Sequence, residues 1–238
     1  GPASPGNRIT LPSTEPRPIQ PWGFSMKDRV LYALRFDVHP NVGDEYSLFT
    51  VEALLRGMQV PGIQELRVFH TAAGAPMVNL LFEFASHSAW SEWCFHPEIQ
   101  TIVEELTQFT TDLKTELWQP SPMLPEPVGT ALAGPAVRYV LRWDLLRDTM
   151  EEYTTRAEEF WQKALTVEGL AGISAYRAVA GSPRVMIMLD FADLASWATW
   201  YSNPIVHDEL LTANGRFVVN TQTELWMPSP RVPDPLRA

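Results

Sequence analysis

VLYALRFD at residues 30–37 and VRYVLRWD at residues 137–144 are one strand written twice, 107 residues apart. In each copy Tyr, Leu and a second aromatic ring (Tyr32, Leu34, Phe36; Tyr139, Leu141, Trp143) alternate with a set that closes on Arg and Asp. That is the period of two a sheet imposes. The match runs outward at the same spacing. Glu45-Tyr46 falls on Glu152-Tyr153, Gly62 on Gly169, Gly74 and Pro76 on Gly181 and Pro183, and Phe84 on Phe191. Trp90 and Trp93 fall on Trp197 and Trp200, and Pro97 on Pro204. One residue is then inserted, the spacing becomes 108, and TELWQPSP (115–122) lands on TELWMPSP (223–230). The chain is an internal duplication.

Each copy reads strand, helix, strand, strand, helix, strand. In copy two, Tyr153, Ala157, Phe160, Trp161, Ala164 and Leu165 recur at helical spacing, as Leu48, Val51, Leu54 and Leu55 do in copy one. Ile63 to Thr71 and Met77 to Phe84 are β-rich runs joined by a Gly-containing turn, a hairpin signal repeated around residues 180–183. A second helical region carries Trp90 and Trp93, pauses at His96-Pro97, and resumes through Ile99, Ile102, Val103, Leu106 and Phe109. The last strand ends in Glu-Leu-Trp.

Of 21 prolines, fifteen lie in residues 1–25, 119–135 and 228–238. This divides the chain into a Pro-rich tail (1–25), a first repeat (26–122), a linker (123–135), a second repeat (136–230) and a C-terminal tail (231–238). The composition, 45% hydrophobic and 19% charged over 238 residues, excludes disorder and collagen. No run approaches the roughly 18 apolar residues of a membrane span, and the N-terminus lacks a signal-peptide layout. A soluble cytoplasmic protein is expected, with no membrane partner. The net charge of −10 opposes binding to nucleic acid, which needs clustered cations. The single cysteine, Cys94, allows no internal disulfide and no thiolate zinc site, and no metal is expected.

A βαββαβ unit folds into an antiparallel sheet with helices on one face and the other face bare. Two such ferredoxin-like units packed through their bare faces make an α+β barrel, so the chain is expected to be its own dimer. With this element order, and with the aromatic helices SAWSEWCFHP (88–97) and ASWATWYSNP (195–204), both copies resemble the dimeric α+β barrel superfamily, specifically the antibiotic biosynthesis monooxygenase type in tandem. The resemblance implies oxygenation of a polycyclic aromatic polyketide phenol or quinone. It requires no permanently bound cofactor, or takes reduced flavin (FADH2 or FMNH2) from a partner reductase, with O2, where a ring is opened. It also implies that the tryptophan helix lines the ligand cavity, with Trp90 touching substrate. Superfamily members that bind or degrade haem supply an alternative, with a proximal histidine from the helix region. A non-catalytic scaffold is a third reading.

Positions that differ between copies are where one half has been specialised or has drifted. Copy one holds His39, His70, His87 and His96 where copy two has Leu146, Arg177, Leu194 and Asn203, and copy two keeps His207. His70 shares a strand face with Leu66 and Val68, where a neutral imidazole in an apolar pocket would be a base. Against this stands a plain polar strand end. Asn79 lies on the opposite face from Val78, Leu80 and Phe82; its amide could hold an oxyanion, or simply be exposed. Capping explains His96 and Asn203, each followed by proline at a helix start. Solvent-facing roles explain His39 and His87. Trp90, Trp93 and Trp197 are candidate substrate contacts or core anchors, one of each pair serving each purpose. Arg35 and Asp37, like Arg142 and Asp144, are spaced to pair on one strand face, and Arg35 could instead hold a phenolate or carboxylate. Arg177, at the position of His70, is a further candidate for binding substrate. Glu83 and Asp190 are solvated or paired. The expected chemistry is proton removal by a pocket base, followed by reduction of O2 by the resulting carbanion.

Overall fold

The computed structural model describes residues 28–238. The tail at 1–25 lies outside them. In repeat one, β1 (Val30–Val38), α1 (Gly43–Gln59), β2 (Ile63–Ala73), β3 (Val78–Phe84), α2 (His87–Cys94), α3 (Pro97–Leu106) and β4 (Thr110–Pro120) follow in order. The second helical region ends at Leu106 rather than at Phe109, which instead turns the chain into β4. A two-residue strand, β5 (Val128–Gly129), precedes repeat two. There β6 (Val137–Leu145), α4 (Met150–Thr166), β7 (Gly172–Ala178), β8 (Val185–Phe191), α5 (Leu194–Tyr201), a π-helix (Val206–Leu211) and β9 (Val218–Pro228) repeat the order, and β10 (Leu236–Arg237) ends the chain.

The strands form one antiparallel sheet in the order β10-β2-β3-β1-β4-β7-β8-β6-β9, and β9 returns to pair with β2. The sheet is therefore a closed barrel with two seams between the repeats, β4–β7 and β2–β9. Closure removes the free edges that each four-stranded sheet would otherwise present. The segments read as linker and tail are arms that cross between repeats. Val128 of β5 pairs with Ile173 of repeat two, and Leu236 of β10 pairs with Leu66 of repeat one.

Alternation along the strands sorts side chains into an inner core and two outer ones. Leu31, Ala33, Phe69, Leu81, Trp118, Val140, Tyr176, Met186, Met188 and Trp226 fill the barrel. Val30, Leu34, Phe36 and Phe82 pack under the helices of repeat one, and Val137, Leu141, Trp143 and Leu189 do so in repeat two. Trp93 and Trp200 anchor the helix layer, their indole N–H groups donating to the carbonyls of Gly57 and Ala164 at 2.9 and 3.2 Å. Gly62 and Gly169, at φ 110° and 109°, let that layer approach: a Cβ there would stand 2.8 and 2.3 Å from the Ala89 and Ser196 carbonyl oxygens.

The inserted residue of repeat two is taken up by the π-helix, whose closing bond runs from the Thr212 N–H to the carbonyl of His207, five residues back. Repeat one spans the same interval with the α-helix α3, whose cap is the expected one, His96 Nδ1 accepting from the Glu98 N–H at 3.1 Å. Among the described residues no helix is long and apolar enough to cross a membrane.

Candidate functional site

Four charged side chains meet inside the barrel, two from each repeat. Arg35 donates through Nη1 to Glu116 at 3.1 Å and through Nη2 to Glu224 at 2.5 Å. Arg142, its counterpart, donates to Glu116 at 3.2 Å and to Glu224. Both guanidinium groups lie over the Trp226 ring, at 5.9 and 5.7 Å from its centroid. The Trp118 and Trp226 indole N–H groups donate to the two carboxylates at 3.0 and 3.1 Å. The pairing expected between Arg35 and Asp37 does not form. Asp37 instead accepts from the Met77 N–H, as Asp144 accepts from the Arg184 N–H, each holding a hairpin end. The strand bulges between Arg35 and Asp37, which takes the carboxylate out of line with the arginine.

The network is symmetric except at two positions. In repeat one Asn79 is fully buried; its Oδ1 accepts from Arg35 Nε and its Nδ2 donates to Thr71 Oγ1, both at 2.9 Å. Thr71 donates in turn to the Pro76 carbonyl, and Arg35 Nη2 reaches the Ala75 carbonyl. The β2–β3 hairpin is thereby drawn onto Glu224, so closely that a Cβ on Gly74 would lie 2.8 Å from the Glu224 side chain. Repeat two has Ala178 for Thr71 and Met186 for Asn79. Arg142 Nε there is buried with no partner among the described residues, and Gly181 faces open space.

The two seams differ accordingly. On one, β2 pairs with β9 as far as Ala73. On the other, β7 stops at Ala178, and beyond the bond from the Val179 N–H to the Leu117 carbonyl the hairpin stands away from β4. The gap is a groove of about 410 Å³, walled by Tyr32, Trp90, Leu117 and Trp118 on one side and by Ala178 to Ala180, Ser182 and Pro183 on the other. Its volume is in the range of roughly 300–1,000 Å³ of small-molecule sites. Glu116 lines it and is 21% exposed, against 6% for Glu224 at the closed seam. Burial alone would raise the Glu116 carboxyl, but Arg142 and Arg35 outweigh it and hold the group below the usual carboxylate range. Burial pushes the Tyr32 phenol well up, so it stays protonated.

Trp90 packs on Tyr32 at 5.8 Å, and its indole N–H is buried without a partner among the described residues. Its counterpart Trp197 is stacked at 5.1 Å on Tyr201, which occupies the position of Cys94. Trp93, like Trp200, is a core anchor.

The remaining candidates lie elsewhere. His70 is half-buried on the helix-facing side of β2 at the closed seam, opposite Met227, and does not line the groove. Burial, with Arg231 nearby, lowers its pKa. It and Asn79 face opposite sides of the sheet and are not brought together. Asn79 has its amide fully engaged and none left for an oxyanion. Arg177 is exposed beside Gln119. Glu83 and Asp190 pair with Arg29 and Arg138 at 3.3 and 2.8 Å. Sequence reasoning missed Glu116 as a site residue, although TELW repeated in both copies marked it.

No family model matches the chain, and no curated protein matches it. Solved structures do. A protein of Fusobacterium nucleatum provisionally described as a monooxygenase superposes with a TM-score of 0.67 over 88% of this chain and 94% of its own, at 11% identity. An anthrone oxidase-like protein gives 0.66 over 89% and 94%, at 10% identity. A mutant chlorite dismutase from Candidatus Nitrospira defluvii gives 0.64 over 86% and 92%, at 10% identity. The chain has the dimeric α+β barrel fold of these proteins, with both halves of the barrel carried in tandem.

Proposed function

We propose that this protein is an oxygenase that seats a flat aromatic phenol or quinol in the groove of the open seam. The reading is carried by one observation: of the two equivalent seams, only one is held open, and it opens between aromatic rings and a charged carboxylate. Fold alone does not choose a chemistry. The neighbours described as a monooxygenase and as anthrone oxidase-like support the class by analogy.

In this reading Trp90, Tyr32 and Leu117 hold the rings, and Glu116 accepts the hydrogen bond of the phenolic O–H. Arg142 and Arg35 keep Glu116 ionised, so it orients that hydroxyl and receives the proton as charge develops on the ring. The carbanion then reduces O2, a ring CH2 and O2 becoming C=O and H2O. Glu116 thus takes the role that the sequence suggested for His70, and Asn79 acts as a positioning residue behind Arg35.

A resident flavin fits poorly, because among the described residues no lysine or arginine lines the groove to meet its phosphate. Reduced flavin would act as a diffusing co-substrate from a reductase. A haem does not fit the residues present. No helix-region histidine lines the groove: His87 is exposed, His96 accepts from the Glu98 N–H at the start of α3, and His207 is exposed on the π-helix with its ring against Tyr201 at 4.8 Å.

Oxygen uptake with anthrone-like and angucyclinone-like phenols, in chelator, with and without chemically reduced flavin, tests the proposal. Enzyme-dependent uptake without flavin is expected. Uptake with flavin alone would move the chemistry to ring opening. Absence of uptake, with a Soret band on adding haemin, would replace the oxygenase by a tetrapyrrole binder; absence of both would leave a scaffold.

A further inference from the structure

Repeat two carries a second cavity, which shares no lining residue with the groove. It lies between α4 and the π-helix with the turn that follows it, measures about 260 Å³, and is walled by Tyr153, Phe160, Trp161, Leu210 and Phe217. The equivalent space in repeat one is about 40 Å³ and almost wholly apolar. Three differences open it. Phe49, which stacks on Phe109 at 5.0 Å in repeat one, is replaced by Arg156, so the ring that fills the space is missing. Ala53 and Leu54 become Phe160 and Trp161, which supply flat walls. The inserted residue widens one wall from α-helix to π-helix, a conformation that is rare and concentrates at functional sites.

The charges at the rim are also specific to this repeat. Arg216, where repeat one has Gln108, lies over the Phe217 ring at 4.5 Å and donates to Glu152 at 3.1 Å. Arg156 reaches the same Glu152 oxygen at 3.6 Å. Two guanidinium groups therefore share one carboxylate, and both line the cavity. At the far end Lys163 and Glu209 pair from α4 to the π-helix, and Glu159 lines the rim. Trp161 is 6% exposed and its indole N–H has no partner among the described residues.

We propose that this cleft is a binding site for a small aromatic carboxylate of one or two rings, distinct from the seam groove, with its ring against Phe160 and Phe217 and its carboxylate on Arg156 and Arg216. Paired guanidinium groups favour a planar anion over a cation, and aromatic walls favour a flat ring.

Titration of the full chain with 2-naphthoate, followed by calorimetry and tryptophan fluorescence, tests the site against 2-naphthylmethanol and 2-naphthylmethylammonium. One saturable site is expected, at least ten-fold tighter for the carboxylate than for the ammonium. The double variant Arg156→Gln/Arg216→Gln should weaken it at least ten-fold and erase that preference; both arginines are more than half exposed, so the fold should be spared. Ala213→Trp, on the exposed rim, should block it. The proposal is overturned by no saturable binding, by equal affinity for the ammonium, by binding unchanged in these variants, or by binding lost when the seam groove is filled at Ala180.

Discussion

Asn79 and Thr71 decide which seam closes, because together they satisfy Arg35 Nε and pin the hairpin carbonyl of Pro76. Replacing Asn79 by Leu leaves a buried guanidinium donor unpaired, which costs about 1–3 kcal/mol. Urea unfolding should show that loss, and the hairpin should loosen over Glu224; an unchanged midpoint would contradict the role. Glu116 sets a pH dependence of known sign. Its folded pKa lies below the ordinary 4.5, so its contribution to stability is complete above that value and is lost as pH falls through the folded pKa. Glu116→Gln should therefore give a shallower acid limb in denaturant midpoints than the native chain, whereas parallel limbs would show that the carboxylate is not held down by Arg142 and Arg35. Arg35 was legible as a notable residue, but its partners were not. The sequence puts Asp37 two positions away; the fold brings Glu116 and Glu224 from 81 and 189 positions away. A period of two reports which face a side chain takes, and not which strand stands opposite.

At the scale of elements the duplication made nearly everything visible. Strand alternation and hairpin glycines each appear twice, but the stripe read for α1 is not its buried face. Leu48, Val51 and Leu55 are exposed, and Tyr46, Thr50, Leu54 and Gly57 turn inward, the face that Tyr153, Ala157, Trp161 and Ala164 mark in α4. The single insertion was visible as a change of spacing, but its form was not, since a sequence does not say whether an extra residue lengthens a loop or widens a helix. Here it widens the helix after Pro204, where a loop would have exposed Val206 and Leu210, both buried. Deleting Ala213 should restore the spacing of repeat one and convert the π-helix to an α-helix. Circular dichroism and thermal unfolding should then show retained helix and an undiminished midpoint, with the 260 Å³ cleft reduced. A collapsed fold would mean that the insertion is required by the core. The two crossing arms were hidden for a different reason. Their prolines signal extended chain, which is equally the signature of a linker and of a two-residue strand laid along a neighbour.

On the scale of the whole molecule, joining two ferredoxin-like units in one chain frees each seam to diverge, which a symmetric pair of identical subunits could not do. One seam has been closed by an amide, a hydroxyl and a glycine, and the other has been left as a groove beside Trp90 and Glu116. If the open seam is where substrate sits, filling it from the far wall should stop turnover without disturbing the fold. Ala180 is exposed and lines that wall, so Ala180→Trp places an indole in the groove without replacing a core residue. Oxygen uptake by Ala180→Trp and by the native chain, on the phenol that the native chain turns over, with thermal midpoints measured alongside, is the most direct test. The account predicts at least a ten-fold loss of uptake at an unchanged midpoint. Full uptake by a folded Ala180→Trp protein would contradict it.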